Sequence, residues 1–375
     1  MEVASPRATS PGAAGNAGKP IDKRCLLNGR VCAVIVITWF GCGENRALPD
    51  AAEQPIDAIA FDAPPDADPL STLAGTGLCL DSGCTQINPD AKQYEPRFQL
   101  WADTASKRRW IQLPPGTQID NSDMNRWVFP VGTKLWKEFV RDGTRVETRF
   151  ITKQLADDDA PGAWFFVTYE WNSTQDATAA RIQAVTNANG TMHDIPSRSQ
   201  CRDCHDSLRP SRVLGFQALQ LDYNAGAGLL DLEDLIAANL LSNPPAGGVA
   251  GARFQIPGNV VERTALTYLH ANCGHCHNPS SPTHDVAPMD VRLDTSKLAT
   301  VAITPAFVTL VDVEAAMPFF DSGINYEKLV VRGSATTSNL MFRTNATNFR
   351  HMPKVGSELV DPDGQTALVT WINAL

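Results

Sequence analysis

The sequence predicts an α+β protein in which an antiparallel β-domain precedes a mostly α-helical domain. Two observations predict this class: apolar residues recur with the period of a strand in the first half and with helical spacing in the second. The 375 residues, 43% of them hydrophobic, suffice for at least one sizeable core and suggest more than one domain. We place a leader over residues 1–42, a linker over 43–70, a β-rich domain over 71–215, a helical connection over 216–256 and a helical domain over 257–375.

Charge and hydropathy argue against two classes of protein. The net charge is -9 and the pI is about 5.3, whereas binding to the phosphates of a nucleic acid requires clustered Lys and Arg. No apolar stretch reaches the roughly 20 residues that a membrane-spanning helix needs. We therefore expect neither a nucleic-acid partner nor a protein with several membrane spans.

The N-terminal segment is typical of an export signal. A basic flank precedes the short apolar run 31–40, and Cys42 follows it after a small residue. The phrase TWFGC resembles a bacterial lipoprotein box, in which the Cys is lipidated and becomes the mature N-terminus, although Trp39 and Phe40 depart from the usual pattern. The alternative is a short buried helix in a cytosolic protein. We expect an exported lipoprotein, on the periplasmic or cell-surface side of a membrane and anchored through Cys42.

The predicted linker is strongly acidic. Residues 43–70 carry seven acidic residues and one basic residue, among many Ala and Pro. Such a segment has too little apolar surface to offset the entropy lost on ordering, so we expect it to be extended. A tether between a lipid anchor and a folded body has this composition, and so has any disordered N-terminus.

Cys79 and Cys84 lie near the start of the predicted folded part, five positions apart. In an exported protein a local disulfide is the default, and two free thiols are the alternative. We expect this disulfide to close a short local loop and to have no catalytic role.

The first half of the chain reads as antiparallel strands. Residues 135–139 and 146–150 alternate between two faces, and Asp142-Gly143 between them is a strong signal for a hairpin turn. The segment 164–171 is aromatic and β-branched. These spacings predict an antiparallel sheet or sandwich of about 100 residues. Its aromatic residues are expected to form a core, with a ligand pocket as the alternative.

The second half has helical periodicity. Apolar residues within 261–269 share one helical face that leads directly into Cys273. Asp361 and the proline after it form an N-cap signal for a final amphipathic helix. A further helix is predicted over 229–241, before a Pro- and Gly-rich connection.

The pattern C-x-x-C-H occurs twice. A c-type haem is held by thioether bonds to two cysteines, and the histidine binds its iron. Positions i, i+3 and i+4 share one face of a helix, so these three side chains can meet one edge of one porphyrin. The sequence therefore predicts two covalently attached haem c groups. The residues that bind them are Cys201, Cys204 and His205 in the first motif and Cys273, Cys276 and His277 in the second.

Zinc and a redox disulfide are the competing interpretations of these cysteine pairs. A zinc site usually has about 15–20 residues between its two pairs, whereas Cys204 and Cys273 are 69 positions apart (273 minus 204). A redox C-x-x-C pair does not require the histidine that follows both pairs here. The spacing and the histidines favour haem.

The second motif resembles the class I cytochrome c domain over residues 257–375. A helix leads into the motif, and Met352-Pro353 precedes the final helix, where that family has its distal methionine. The resemblance implies that Met352 is the second axial ligand of the iron bound by His277. Met/His ligation raises the reduction potential and leaves no open iron position, which suits electron transfer. The alternative ligands are Met317, Met341 and His351.

The first motif follows a β-domain. That order, with the phrase FPVGTKLWKEF, resembles cytochrome c′-beta and its hydroxylamine-oxidising relatives over residues 94–210. The resemblance implies a five-coordinate iron with an open distal side. A lysine is cross-linked to haem in the hydroxylamine-oxidising members, and Lys134 or Lys137 corresponds to it here. Residues 94–375 also resemble exported bacterial proteins with a β-domain and a C-terminal cytochrome motif, which share the phrases ETRFI, PSRSQCRDCH, NCGHCHNP and MPKVG.

These features predict a membrane-anchored dihaem c-type cytochrome that carries electrons in the periplasm between redox partner proteins. One alternative is a dihaem redox enzyme or gas-binding protein with an open iron site at the first haem. Another is a β-domain that binds a glycan or a partner, with the cytochrome as an accessory. The sequence has no GxSxG, HExxH or phosphate-loop motif, so no catalytic residue is predicted. We expect an electron carrier because that function requires only the haem motifs.

Overall fold

The computed structural model of the chain describes residues 70–205, 212–247 and 253–375. The predicted leader with Cys42 lies outside the described residues, and so does the predicted linker as far as residue 69. No helix among the described residues combines the length and the apolar character needed to cross a membrane.

Antiparallel strands dominate the first part of the described chain. The strands are β1 (Lys92–Tyr94), β2 (Ser106–Gln112), β3 (Asp120–Asp123), β4 (Arg126–Val128), β5 (Lys134–Arg141), β6 (Thr144–Lys153), β7 (Trp164–Trp171), β8 (Thr178–Arg181), β9 (Glu314–Asp321) and β10 (Ile324–Lys328). Six of them form one sheet in the order β1-β2-β5-β6-β7-β8, while β3 pairs with β4 and β9 with β10. The aromatic and β-branched residues of the long strands suit a pleated surface that is buried.

Helices follow the large sheet along the chain. They are α1 (Arg198–His205), α2 (Ala218–Leu221), α3 (Leu232–Ala237), α4 (Val260–Asn272), α5 (Pro305–Leu310), α6 (Asn339–Asn345) and α7 (Pro362–Ala374). Asn259 and Glu262 form a capping box at the start of α4, and the Asp361 side chain accepts hydrogen bonds from the first turn of α7. The predicted helices before Cys273 and after Asp361 are thus confirmed, as is the α+β class.

The predicted hairpin is confirmed at the turn between β5 and β6. Asp142 and Gly143 both have positive φ, 50° and 78°, as a type I′ turn requires. The register that follows pairs Trp136 with Phe150 and Leu135 with Ile151.

Both faces of the large sheet are covered. On one face, Ile111 and Leu135 pack with Phe216 and Leu235 from the segment after α1. On the other face, Trp136 and its neighbours pack against the first described residues, including Cys79 and Cys84. These two cysteines lie at disulfide-bonding distance, with Cα atoms 4.9 Å apart.

A second core lies around α4 and α7. Leu266 and Leu269 of α4 pack with Leu368, Trp371 and Ile372 of α7, and all five are fully buried. Burial of each such side chain stabilises the fold by about 1.5–3 kcal/mol. This packing fixes the helix that leads into the second motif.

Two features of the second half differ from the prediction. The helix predicted over 229–241 is shorter, because it begins after the Asp231 cap and ends before Asn239, whose φ is 53°. The β9–β10 hairpin, closed by Ser322 and Gly323, was not predicted. Its strands are mostly exposed, so they lack the strong apolar alternation that identifies a buried strand.

Candidate cofactor-binding site

The first motif lies on α1, which packs against β7. Ser197 and Gln200 exchange hydrogen bonds at the start of this helix, Ser197 N to Gln200 Oε1 at 2.9 Å and Gln200 N to Ser197 Oγ at 3.3 Å. This reciprocal pair starts the helix as a capping box does. It places Cys201 and Cys204 one turn apart, directly before His205.

His205 is oriented by its surroundings. Its Nδ1 donates to the carbonyl oxygen of Arg212 at 2.6 Å, and its ring lies 5.8 Å from that of Phe166. The Nδ1 bond leaves Nε2 as the nitrogen for a ligand, in the manner typical of metal-binding histidines. Burial lowers the pKa of His205 to about 4, so the ring is neutral at pH 7.

A cavity of about 370 Å³ lies beside the first motif. Cys201, Cys204 and His205 all line it, and β5, β6 and β7 form part of its wall. The segment 353–358 and His275, from the second half of the chain, complete the lining. Its volume falls in the range of sites for mid-sized organic ligands.

Three cations face one another across the sheet at this cavity. Lys137 of β5 is directly opposite Arg109 of β2 and Arg149 of β6 in the strand register, and all three line the cavity. Arg149 forms an ion pair with the buried Glu147, with Nε and Oε2 2.9 Å apart. Burial, together with neighbouring cations, lowers the pKa of Lys137 well below its ordinary value.

The two lysines considered from the sequence occupy different places. Lys137 lines the cavity beside the first motif. Lys134 instead donates from Nζ to the carbonyl oxygen of Thr76 at 2.8 Å. Of the two, Lys137 is therefore the lysine beside Cys201 and Cys204.

The second motif continues from the end of α4 as a tight turn. The backbone N–H groups of Cys276 and His277 both donate to the carbonyl oxygen of Cys273, at 3.1 and 2.9 Å. The side chain of the fully buried Asn278 donates to the Gly274 carbonyl at 3.0 Å. These bonds hold the cysteines and the histidine on one compact turn.

Gly274 is required by close packing at this turn. A Cβ atom there would lie 2.7 Å from Cγ of Arg292 and 2.8 Å from the carbonyl oxygen of His270. The second neighbour is backbone, which cannot move aside without displacing the end of α4.

His277 is buried at the second motif, with 9% of its surface exposed. Its Nδ1 is buried without a hydrogen-bond partner. Burial lowers its pKa to about 4, so the ring is neutral and its nitrogen lone pair is available to a ligand.

The two motifs meet in space. His275, which lies inside the second motif, lines the same cavity as Cys201 and His205. The charges of His205 and His277 both act on the pKa of His275, which burial, as the main cause, lowers to about 4. The fold therefore brings together two sites that are far apart in the sequence.

Met352 does not line the cavity that both motifs share, although the residues after it do. Its backbone N–H donates to the carbonyl oxygen of Arg343 at 3.1 Å. The residues after it, 353–358, line the cavity at the first motif, whereas neither Met352 nor His277 does. The loop predicted to supply a distal ligand thus borders the first motif.

Asp103 fixes that loop against the large sheet. Its carboxylate accepts hydrogen bonds from the backbone N–H groups of Glu358 and Leu359, at 2.8 and 3.0 Å. Trp101 Nε1 donates to Asp103 at 3.1 Å and to the Leu359 carbonyl at 3.0 Å. This clamp joins the β-rich part to the segment between α6 and α7.

The alternative distal ligands lie in different surroundings. Met317 is in β9 and is 49% exposed, whereas Met341 is 8% exposed and packs in the second core. His351 donates from Nδ1 to the carbonyl oxygen of Ala346 at 2.6 Å. A buried core position is the ordinary role of an isolated methionine.

The residues of the first motif fit a covalently attached porphyrin. Both cysteines and the histidine open onto one cavity, and the histidine is held by its other nitrogen. At the second motif, His277 Nδ1 has no hydrogen-bond partner among the described residues, so this ring is not oriented as His205 is. Burial is the main cause that raises the pKa of all four motif cysteines above that of a free thiol. Within the described ranges, no three His, Cys, Asp or Glu side chains form a metal-binding group.

Two residues of the site were not identified from the sequence. His275 occupies a variable position of the second motif, and its place in the motif was the only signal for it. Arg109 lies in a predicted strand region and is recognised only through its register opposite Lys137.

Comparison with known proteins gives no relative. No protein-family model, curated protein or solved structure matches this chain.

Proposed function

We propose that this protein is a dihaem c-type cytochrome that carries electrons between redox partner proteins. The observation that supports it best is the common cavity of His205 and His275, because it brings both C-x-x-C-H motifs to one place. Haems attached at these two motifs would be neighbours in the fold, and electron transfer requires such proximity because tunnelling weakens steeply with distance.

Each motif has a defined role in this proposal. The cysteines hold the porphyrin, with Cys201 and Cys204 at the first site and Cys273 and Cys276 at the second. His205 and His277 would hold the iron, and the Nδ1 bond of His205 leaves its Nε2 free for that role. An attached haem c supplies reversible one-electron chemistry whose potential the protein sets through ligands, hydrogen bonds and burial.

Residues 257–375 form the class I cytochrome c-like part of the proposal. Met352, on a loop that precedes α7, would supply its second ligand. That assignment requires Met352 to turn towards His277, because the neighbouring residues 353–358 border the first motif.

The first test is a haem-to-protein ratio with an optical spectrum of the reduced protein. Two thioether-linked haems per chain are expected. Replacement of both cysteines of either motif by Ala should reduce the ratio to one, while Thr366→Ala on the exposed side of α7 should leave it at two. A purified protein without haem would contradict the proposal. The cysteine pairs would then be interpreted as a zinc site or as redox disulfides.

A second candidate is a redox enzyme or gas-binding protein with an open iron site at the first motif. The cavity favours it, because Arg109, Lys137 and Arg149 line it beside the first motif, where they could bind a small anionic substrate. Addition of CO to the reduced protein distinguishes the candidates. A CO-induced spectral shift at one haem supports the second candidate, and an unchanged spectrum supports the electron carrier.

The location of the protein belongs to the same proposal. Covalent haem attachment takes place outside the bacterial cytosol, so we propose an exported lipoprotein anchored through Cys42. The Cys42→Ala variant should lose labelling by a fatty acid and move from the membrane fraction to the soluble fraction. Labelling that persists in the variant would contradict the anchor.

A further inference from the structure

Arg109, Lys137 and Arg149 form a row of cations across β2, β5 and β6. They are not matched by an equal number of acidic side chains. Like charges directly opposite one another in a sheet destabilise it. Arg149 has Glu147 as its partner. Among the residues that the structure describes, no carboxylate oxygen lies within 4.0 Å of a side-chain nitrogen of Arg109 or Lys137.

A smaller cavity of about 70 Å³ adjoins these two cations. Arg109, Lys137 and Arg292 line it, together with His270 and His275. It therefore lies between the sheet and the second motif, and none of the described residues that line it is acidic.

Two guanidinium nitrogens at this cavity are unsatisfied. Arg109 is only 4% exposed, and its Nη1 is buried without a hydrogen-bond partner. Its Nη2 has one weak partner, Gln99 Oε1 at 3.4 Å. The Nε of Arg292 also has no hydrogen bond, although it faces the Oδ1 of Asp290 at 3.7 Å. A buried charged donor without a partner is costly, so each such group calls for an explanation.

The size of the cavity limits what can satisfy these donors. A volume of about 70 Å³ corresponds to roughly five water-sized spheres. A carboxylate group or an oxyanion of a few heavy atoms fits that space. Guanidinium groups recognise such planar anions through paired hydrogen bonds.

We propose that the cavity between Arg109, Lys137 and Arg292 is a binding site for a carboxylate or a small oxyanion. The ligand has two possible sources: a propionate of a porphyrin attached at a motif, or a free anion that enters beside it. The first source rests on the proposed function, whereas the second does not. In both cases the anion supplies the negative charge that the row of cations lacks.

The test uses the purified protein as it is isolated and calorimetric titration with sodium formate and sodium nitrate, with chloride keeping the ionic strength constant. If the anion is free, formate or nitrate binds saturably and Arg109→Gln weakens binding at least tenfold. Arg332→Gln, which removes an exposed arginine paired with Asp312, should leave binding unchanged. Lys137→Gln should weaken binding as well and serves as the second variant if Arg109→Gln does not fold.

The propionate source gives a different result. The isolated protein then takes up neither anion, but Arg109→Gln changes the pH dependence of a haem midpoint potential, while Arg332→Gln does not. The proposal is overturned if Arg109→Gln and Arg332→Gln behave alike in both measurements. The haem-to-protein ratio is measured separately. A haem-free chain that binds formate through Arg109 would contradict the cytochrome proposal but would support the anion site.

Discussion

His205 and His275 line one cavity, although they belong to different C-x-x-C-H motifs and are 70 positions apart (275 minus 205). The reason is the path of the chain after α1, which covers one face of the large sheet and returns to it through α4. The turn at the end of α4 then places a residue of the second motif beside the first. A substitution at His275 should therefore change the surroundings of the first motif.

In the proposed dihaem cytochrome, the variant His275→Leu should raise one of the two haem midpoint potentials, by on the order of tens of millivolts. An apolar side chain lowers the polarity around a porphyrin, which disfavours the more highly charged oxidised iron. A potentiometric titration followed by optical spectroscopy measures the shift.

His275→Gln is the matched control for that experiment, because it keeps a polar group at the same position. Its shift should be smaller than that of His275→Leu. Equal potentials in the wild type and in His275→Leu, with both proposed haems retained, would contradict a position of His275 beside the cofactor of the first motif.

The variant Gly274→Ala should destabilise the protein by about 1–3 kcal/mol, the usual cost of forcing an extra group into a packed site. The added Cβ would lie 2.8 Å from the His270 carbonyl, so the end of α4 must move. Denaturant unfolding measures the change in the free energy of unfolding. Gly83→Ala is the control, because its Cβ would meet neighbours only at 3.7 Å.

Local signals in the sequence account for the parts of the fold that were predicted. The Asp142-Gly143 turn, the alternation along β5 and β6, and the Asp361 cap are each encoded within about ten residues, and the structure contains all of them. The helix before Cys273 is equally local, since a capping box and an apolar face define it.

The site depends on contacts that no local pattern encodes. The sequence identified both motifs but not that His275 lines the cavity of the first. The opposition of Arg109 and Lys137 follows from pairing between strands separated by the β3–β4 hairpin. The position of residues 353–358 depends on the Asp103 clamp, which joins segments more than 250 positions apart.

The variant Asp103→Ala should loosen the wall of the cavity that residues 353–358 form. It removes the acceptor of the Glu358 and Leu359 N–H groups, and each lost hydrogen bond to a charged group costs about 1.5–3 kcal/mol. Hydrogen exchange should show faster exchange at these two amides. Asp123→Ala, which removes only a local bond to Asn125 N, is the control. Unchanged exchange at Glu358 and Leu359 would contradict the clamp.

The buried Glu147 should make the stability of the protein depend on pH. Burial acts to raise the pKa of Glu147, but Arg149 and His193 outweigh it and hold the pKa below its ordinary value. A carboxyl whose pKa is lowered on folding stabilises the protein above the pKa of the unfolded chain, about 4.3 for Glu. That stabilisation is lost as the pH falls through the lower pKa of the folded state.

The variant Glu147→Gln should therefore lower the free energy of unfolding at pH 7 by about 3–5 kcal/mol, because Arg149 is left without its buried partner. The difference from the wild type should be full at pH 7 and should shrink below about pH 4. Denaturant unfolding at several pH values measures it. Asp312→Asn breaks a pair with Arg332 in which both side chains are at least 40% exposed, so its effect on the free energy of unfolding should be much smaller. A Glu147→Gln variant as stable as Asp312→Asn at pH 7 would show that the buried network does not stabilise the sheet beside the first motif.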